Sequence, residues 1–294
     1  MNYPIWDIPG RGLLIAAISI LHVFISHFAV GGGLFLVLAE RKARREHDEA
    51  LLAYVRQHSR VFILVTLVLG AITGVGIWFT IGLVHPQATS SLINTFVWGW
   101  AIEWTFFVAE IAAAMVYYYG WDRLDAKTHE RVGWIYFVNA WLSLAVINGI
   151  LAFMLTPGQF TGPDSFWQNL FNPSFWPSTP VRAISGLALA AIFVIIVANY
   201  ARGYSDQERS HIVRQAGWWL VPLVLMVPLA WWYFQSVPPS ARNFIFNQAA
   251  MVMVLLFTFG VIPAASSKTP TAGNAIAAMK DWAFCLAFVS MGLE

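Results

Sequence analysis

The segment of residues 93–124, INTFVWGWAIEWTFFVAEIAAAMVYYYGWDRL, is an apolar run long enough to cross a membrane, and it carries two glutamates. Glu103 and Glu110 are seven residues apart, so a helix holds them on one face, about 10 Å apart along its axis. A carboxylate inside a bilayer costs roughly 2.5–3.5 kcal/mol on insertion scales, and it faces protein or water. The pair therefore predicts a proton or cation path, or the surroundings of a buried cofactor.

Composition extends the membrane prediction to the whole chain. Apolar residues make up 59% of it and charged residues only 11%, whereas a soluble domain carries about 25% charged residues. We predict an all-α, polytopic transmembrane helix bundle of about 8 spans, each near the 20 apolar residues that cross the hydrocarbon core, in a single domain. The predicted spans are residues 12–39, 61–84, 93–119, 132–155, 182–201, 213–235, 244–265 and 281–294.

Two segments differ from ordinary spans. Residues 156–180 are rich in Pro, Phe and Trp, and we predict an outer interfacial loop there, because aromatic residues anchor at membrane interfaces. The last predicted span, 281–294, would rise only about 21 Å as a helix, which is too short to cross. It ends on Glu294 while still apolar, so we expect the chain to continue or the final helix to be incomplete.

The distribution of basic residues predicts the orientation. Of the 17 Lys and Arg residues, only Arg11, Arg182 and Arg242 fall on one side of the predicted bundle. Positively charged loops stay in the cytoplasm, so the N-terminus is predicted to lie outside. The formal net charge of +2 follows from this topology, and we expect no nucleic acid partner.

Missing motifs exclude several classes of protein. The single cysteine, Cys285, permits neither an intrachain disulfide nor the C-x-x-C-H attachment of a c-type haem. The sequence also contains no P-loop, G-x-G-x-x-G, zinc motif or serine-hydrolase elbow. The soluble enzyme classes that depend on those motifs therefore have no support.

Two histidines lie in the first predicted span. His22 and His27 are five residues apart, so on a helix they point roughly 140° apart and differ by about 7.5 Å in depth. We do not expect them to bind one metal together. Each is either a haem ligand or a hydrogen-bonded packing residue. The glycines at 31–33 permit close approach of backbone or macrocycle, or ordinary helix packing.

Further candidates lie in the second and seventh predicted spans. Gly70 and Gly74 form G-x-x-x-G, which is either a helix contact or a face on which a flat ligand lies. Met251 is either an axial haem ligand, which would raise the haem potential, or a packing residue. The remaining histidines are expected to matter less. His58 is predicted to be solvated and His85 is a weak ligand candidate, while loop positions are predicted for His47, His129 and His211.

Four stretches together resemble subunit I of the cytochrome bd quinol oxidase superfamily. They are RGLLIAAISILHVFISHFAVGGGLFLVLAE at 11–40, LGAITGVGIWFTIG at 69–82, AIEWTFFVAE with the following GWDRL, and QAAMVM at 248–253. The resemblance implies a helical bundle with haems near the outer face. It implies that His22 is the axial histidine of the active-site haem, that Met251 lies near the methionine of the low-spin haem, and that both glutamates serve the haem site.

The chain departs from that family at four points. PVRAISG at 180–186 contains no histidine, although the family's fifth helix supplies one to the low-spin haem, so His27 becomes a candidate replacement. The glutamates are one residue closer together than in the best-known members, and Trp78 replaces an acidic residue. The link at 237–243 is also too short for the long loop that the family uses in quinol oxidation.

The resemblance implies a haem-b membrane electron-transfer subunit with one or two haems b, while haem d stays an alternative. It would pass electrons between a membrane quinone pool and an outer-face partner such as a c-type cytochrome. Glu103 and Glu110 would conduct protons to the haem or tune its potential. Alternatives are a true quinol oxidase that reduces oxygen, a haem-poor structural subunit of a respiratory complex, and a proton or ion pathway without redox chemistry. We expect other membrane subunits and a multi-pass location in the bacterial cytoplasmic (inner) membrane.

Overall fold

The computed structural model describes residues 5, 9–158, 162, 165–201, 203–240 and 242–243. Helices make up most of this part of the chain. They are α1 (Arg11–Glu46), α2 (Glu49–Ile63), α3 (Gly70–Val84), α4 (Pro86–Thr95), α5 (Val97–Gly120), α6 (Ala126–Leu155), α7 (Phe166–Leu170), α8 (Phe175–Tyr200), α9 (Asp206–Gly217) and α10 (Met226–Ser236). A π-helical segment, Leu64–Leu69, joins α2 to α3, and a 3₁₀ segment, Trp218–Leu225, joins α9 to α10.

Six helical segments of the described chain are long and apolar enough to cross a membrane. They are Gly12–Glu46, Glu49–Val84, Val97–Gly120, Ala126–Leu155, Phe175–Tyr200 and Asp206–Ser236. The predicted fold class, an all-α transmembrane bundle, is confirmed. The predicted spans at 244–265 and 281–294, and Met251 with them, lie outside the described residues.

Two aspartates start helices at the end of the bundle that carries most basic residues, which we call the basic end. His47 leaves α1 in the left-handed region with φ 55°, and Asp48 then accepts a hydrogen bond from the Leu51 amide at 2.9 Å. Asp125 caps α6 by accepting from the backbone amides of Lys127 and Thr128. Side-chain oxygens of this kind satisfy amides that a helix start leaves without partners.

Helix α1 is the centre of the bundle, because it packs against α2, α3, α6 and α8. Its closest neighbour is α8: a Cβ atom built on Gly31 would lie 1.9 Å from the Gly186 carbonyl oxygen. A glycine at 31 therefore lets the two backbones touch. Buried aromatic side chains, including Phe28, Phe35 and Phe62, fill the adjoining space.

His58 is part of this core, and the prediction that it is solvated is wrong. Its side chain is 1% exposed, and its ring lies 5.4 Å from those of Tyr54 and Phe193. The neighbouring Arg56 and Arg60 suggested a water-facing helix. The turn of α2 instead directs His58 inward while those arginines point outward.

Candidate functional site

His22 lies where α1 meets α3, and its ring orientation is fixed by Thr73. The Nδ1 atom is 3.0 Å from the Thr73 hydroxyl oxygen, and that hydroxyl donates its own proton to the Leu69 carbonyl at 2.7 Å. Nδ1 must therefore be the donor to Thr73. Because a neutral imidazole carries one N–H, its Nε2 then holds a lone pair, which is the form that binds a metal.

Gly74 provides the space in which this imidazole sits. A Cβ atom at Gly74 would lie 3.1 Å from Cε1 of His22, closer than nearly all real contacts of that kind. The ring is half-buried, and exposed apolar residues such as Leu21, Ile72 and Val75 lie within one turn of His22 or Gly74 on the two helices. A half-buried histidine with an Nε2 lone pair in an apolar setting has the chemistry that would hold a haem iron.

His27 occupies a different environment, against α8. It is 3% exposed, and its Nδ1 donates to the Val23 carbonyl at 2.7 Å. Arg182 is close enough to act on the ring electrostatically. No group of three or more His, Cys, Asp or Glu side chains able to hold a metal ion occurs within the residues described, so a role for His27 as a ligand remains a prediction.

A buried polar cluster links α6 to the start of α8. Asn148 donates to the hydroxyls of Ser178 and Thr179, both at 2.8 Å, and accepts from Nε of Arg182 at 2.6 Å. All four side chains are buried. The sequence pattern did not indicate this cluster, because Pro177 and Pro180 suggested a loop where α8 has already begun.

Both predicted glutamates lie on the face of α5 that packs against α6. Ser143 donates to Glu103 at 2.9 Å, and the Tyr136 hydroxyl interacts with Glu110. The two α6 partners are themselves seven residues apart, which matches the spacing of the glutamates on an antiparallel neighbour. The polar side chains of both helices therefore have the same seven-residue spacing.

A third pair of residues, one on each helix, repeats this spacing toward the basic end. Tyr117 follows Glu110 by seven residues, and His129 precedes Tyr136 by seven. Nε2 of His129 lies 2.9 Å from the Tyr117 carbonyl oxygen. We call the six side chains of the three pairs the polar seam. Its members are Glu103, Glu110 and Tyr117 on α5, and Ser143, Tyr136 and His129 on α6.

Glu40 of α1 closes the polar seam at the basic end. Its carboxylate accepts from Tyr117 at 2.8 Å, lies 2.9 Å from Nδ1 of His129 and forms a salt bridge with Arg44 at 2.8 Å. Glu40 and His129 are both 0% exposed. The prediction that His129 is a loop residue without a role is wrong, because the residue is a buried partner of a carboxylate.

The GWDRL stretch holds this end of the seam in place. The Trp121 indole donates to Ser59 at 3.2 Å, its ring lies 4.4 Å from that of His129, and Asp122 forms an ion pair with Arg56. These contacts fasten the turn between α5 and α6 onto α2. The motif therefore has a packing role that its sequence alone did not indicate.

Known proteins share this arrangement of helices. The profile of the family described as Cytochrome bd terminal oxidase subunit I matches residues 13–235. Cytochrome bd ubiquinol oxidase subunit 1 of Bacillus subtilis (strain 168) is 24% identical over 193 residues, which are 63% of this chain and 41% of that protein. The bd oxidase structure from Geobacillus thermodenitrificans aligns with a TM-score of 0.67 at 19% identity, covering 77% of this chain and 54% of that one. The chain thus spans about half the length of these relatives.

Proposed function

Since this chain belongs to the family of cytochrome bd terminal oxidase subunit I, we propose that it is a haem-binding membrane subunit that transfers electrons in a bacterial respiratory complex. Family membership supports a bacterial membrane location, haem as the general class of cofactor, and other membrane subunits as partners. The electron donor that we propose is a membrane quinol, which the name of the Bacillus relative supports. A c-type cytochrome partner, also expected from the sequence, has no support among these relatives.

The orientation of His22 carries this proposal. A metal-binding histidine usually donates its second ring nitrogen to a neighbouring acceptor, which fixes the tautomer and the ring. Thr73 is such an acceptor, at 3.0 Å, and its own proton is engaged by Leu69. We propose that Nε2 of His22 would hold the iron of a haem b, which would supply one-electron chemistry when bound.

The polar seam provides the side chains that hold protons in this proposed function. Both α5 and α1 run toward the basic end, and Tyr117 of α5 contacts Glu40 of α1 there. Counted back from that contact, Glu103 is expected at the level of about residue 26 of α1. That level lies between His22 and His27. We propose that Glu103 and Glu110 hold protons near the haem and balance the charge that an arriving electron brings.

A spectrum of the purified complex tests the proposal. The chain would be produced with its natural membrane partners, purified in detergent, and measured as a reduced-minus-oxidised difference spectrum with haem extraction. We expect haem b in the wild type and the loss of at least one haem per chain in His22→Ala. His85→Ala is the matched control, since His85 is an exposed histidine at the end of α3 and should keep the full haem content. Haem content equal in both variants would refute His22 as the ligand.

A haem-poor structural subunit is the second candidate, and one contact favours it. The α1 and α8 backbones touch at Gly31 and Gly186, in the segment where the family has its additional histidine and this chain has none. A complex that assembles fully but contains no haem in this chain would support that candidate. Oxygen consumption with a quinol substrate separates a true oxidase from an electron-transfer subunit.

A further inference from the structure

One side of α1 changes from apolar to cationic within two turns at the basic end. Ala39 and Ala43 are buried and point into the bundle. On the outward side, Leu38 and Lys42 are half-buried and Arg45 is exposed. Leu38 lies at the end of the long apolar run of α1, and the cations begin one turn later. This side of the helix therefore has the polarity that matches the boundary between the hydrocarbon core and the headgroups of a membrane.

An open groove of about 410 Å³, which we call the α1 groove, runs along this outward side. It is lined by Leu38, Arg41, Lys42, Arg45 and Glu46. On one edge, Arg41 lies 3.6 Å from Glu130 of α6. On the other edge, Lys42 donates to Gln215 of α9 at 2.7 Å. The groove thus lies between two neighbouring helices, with α1 as its floor. Basic pockets between membrane helices on the cytoplasmic side are typical binding places for the headgroups of anionic lipids.

Two guanidinium groups in the α1 groove have hydrogen-bond donors without partners. Arg45 forms no ion pair or side-chain hydrogen bond with any residue that the structure describes. The 3.6 Å between Arg41 and Glu130 is longer than a hydrogen bond. The two arginines are four residues apart on one helix, where like charges repel each other. A guanidinium binds phosphate through two parallel hydrogen bonds, so a phosphate between these side chains would use their donors and relieve the repulsion.

We propose that the α1 groove binds an anionic phospholipid. Arg41 and Arg45 hold its phosphate, and its acyl chains follow Leu38 toward the hydrocarbon core. Leu38 favours a lipid over a free phosphate ion, because an apolar surface offers such an ion no contact. The positive-inside rule assigns the basic end to the cytoplasm, and anionic lipids give the cytoplasmic leaflet its negative surface. The site involves no haem, so it does not depend on the proposed electron-transfer function.

A lipid titration of the full complex tests the site. The complex would be purified in detergent, stripped of lipid, and titrated with phosphatidylglycerol or with phosphatidylcholine of the same acyl chains. Native mass spectrometry would count the lipids bound. We expect the complex to bind phosphatidylglycerol more tightly than phosphatidylcholine. Equal affinity for the two lipids, or no phosphatidylglycerol bound because another subunit covers the groove, would overturn the proposal.

A double variant locates the binding in the groove. Arg41→Gln with Arg45→Gln removes both phosphate-binding side chains. The control is Arg60→Gln with Arg123→Gln, because both residues are exposed and neither lines the groove. Each pair removes two positive charges, so the general attraction of anionic lipid falls equally. A charge-assisted hydrogen bond changes affinity by about tenfold or more, and we expect the groove variant to bind phosphatidylglycerol weaker than the control by at least that factor. Equal binding would place the lipid elsewhere and overturn the proposal.

Glu46→Gln gives a result that a folding defect cannot imitate. The Glu46 carboxylate lies 3.9 Å from Lys42 and repels a phosphate in the groove. One charge near a membrane surface changes lipid affinity about fivefold, so this variant should bind phosphatidylglycerol tighter by about that factor. Glu49→Gln is the control, since Glu49 is an exposed carboxylate in the first turn of α2 that does not line the groove. The same affinity in both variants would contradict the site.

Inorganic phosphate distinguishes a lipid site from an ion site. Phosphate would be added to the complex with phosphatidylglycerol bound, and sodium chloride of equal ionic strength would be the control. We expect the lipid to stay bound equally in both. Displacement by phosphate alone would show that the groove takes the free ion, and it would overturn the lipid assignment.

Discussion

Gly31 on α1 and Gly186 on α8 stand in direct backbone contact, with 1.9 Å between a Cβ atom built on the first and the carbonyl oxygen of the second. A side chain at 31 would collide with backbone, which cannot move aside as a flexible side chain does. Overpacking a core costs about 1–3 kcal/mol. We expect Gly31→Ala to reach the upper part of that range and to lower the melting temperature in detergent, followed by circular dichroism.

Gly82→Ala is the control for this variant, because nothing lies within 4 Å of a Cβ at that helical position. Replacing a helical glycine by alanine in open space stabilises a helix by about 0.5–1 kcal/mol. Equal melting temperatures for the two variants would show that the α1–α8 contact has no bearing on stability.

The Asn148 cluster predicts a second stability effect. In Asn148→Ala, Ser178 and Thr179 lose a donor, and Nε of Arg182 loses the acceptor at 2.6 Å. A buried polar group that loses its partner costs about 1–3 kcal/mol, so unfolding should shift by that amount. Asn139→Ala on the same helix is the control, since Asn139 donates to the carbonyl of Ile135 in the preceding turn. A matching loss in both variants would contradict a specific role for the cluster.

Asp125 predicts a pH-dependent contribution outside the membrane spans. Hydrogen bonds from Thr128, and then from the Lys127 amide, hold the pKa of this carboxyl below its usual value. The stabilisation is therefore present above the unfolded pKa of about 3.9 and is lost as the pH falls through the lower folded value. Asp125→Ala should melt below wild type at pH 7 and equal it in acid. Asp125→Ser, which retains a capping oxygen, should keep the cap without that pH dependence.

The glutamate face of α5 could be predicted from spacing alone, but its partners could not. A seven-residue interval fixes which side chains share a face, whereas the helix that covers this face depends on the turn after Gly120. That turn is set by contacts of Trp121 and Asp122 with α2, which are distant in sequence. The glutamate face of α5 thus follows from the local sequence, whereas its partners on α6 depend on tertiary contacts.

His129 shows why charged neighbours in the sequence do not prove that a residue lies in an exposed loop. Lys127, Glu130 and Arg131 surround it in the sequence and suggested a loop. The Asp125 cap starts α6 at Ala126, so His129 falls in the first turns of a helix and points toward Glu40. A signal was present in Glu40 itself, a lone carboxylate at the end of an apolar run that needed a partner.

Thr73→Val gives the most specific check on the proposed haem ligand. Valine has nearly the shape of threonine, so packing is preserved while the oxygen that accepts from His22 at 3.0 Å is removed. Losing the hydrogen-bond partner of a metal-binding histidine typically weakens metal affinity about 10- to 100-fold. We expect haem to be lost on dilution or on titration with a competing apo-globin, with a shifted Soret band in the haem that remains. Thr80→Val is the matched control, because Thr80 is also buried and its hydroxyl also donates to a carbonyl in the preceding turn of its own helix, that of Gly76, at 2.7 Å. Both variants remove a hydrogen bond from a threonine hydroxyl to a backbone carbonyl of α3. Any general loss of stability of α3 is therefore the same in the two proteins. Equal haem retention in the two proteins would show that Thr73 does not orient an iron ligand, and His22 would then be a packing residue.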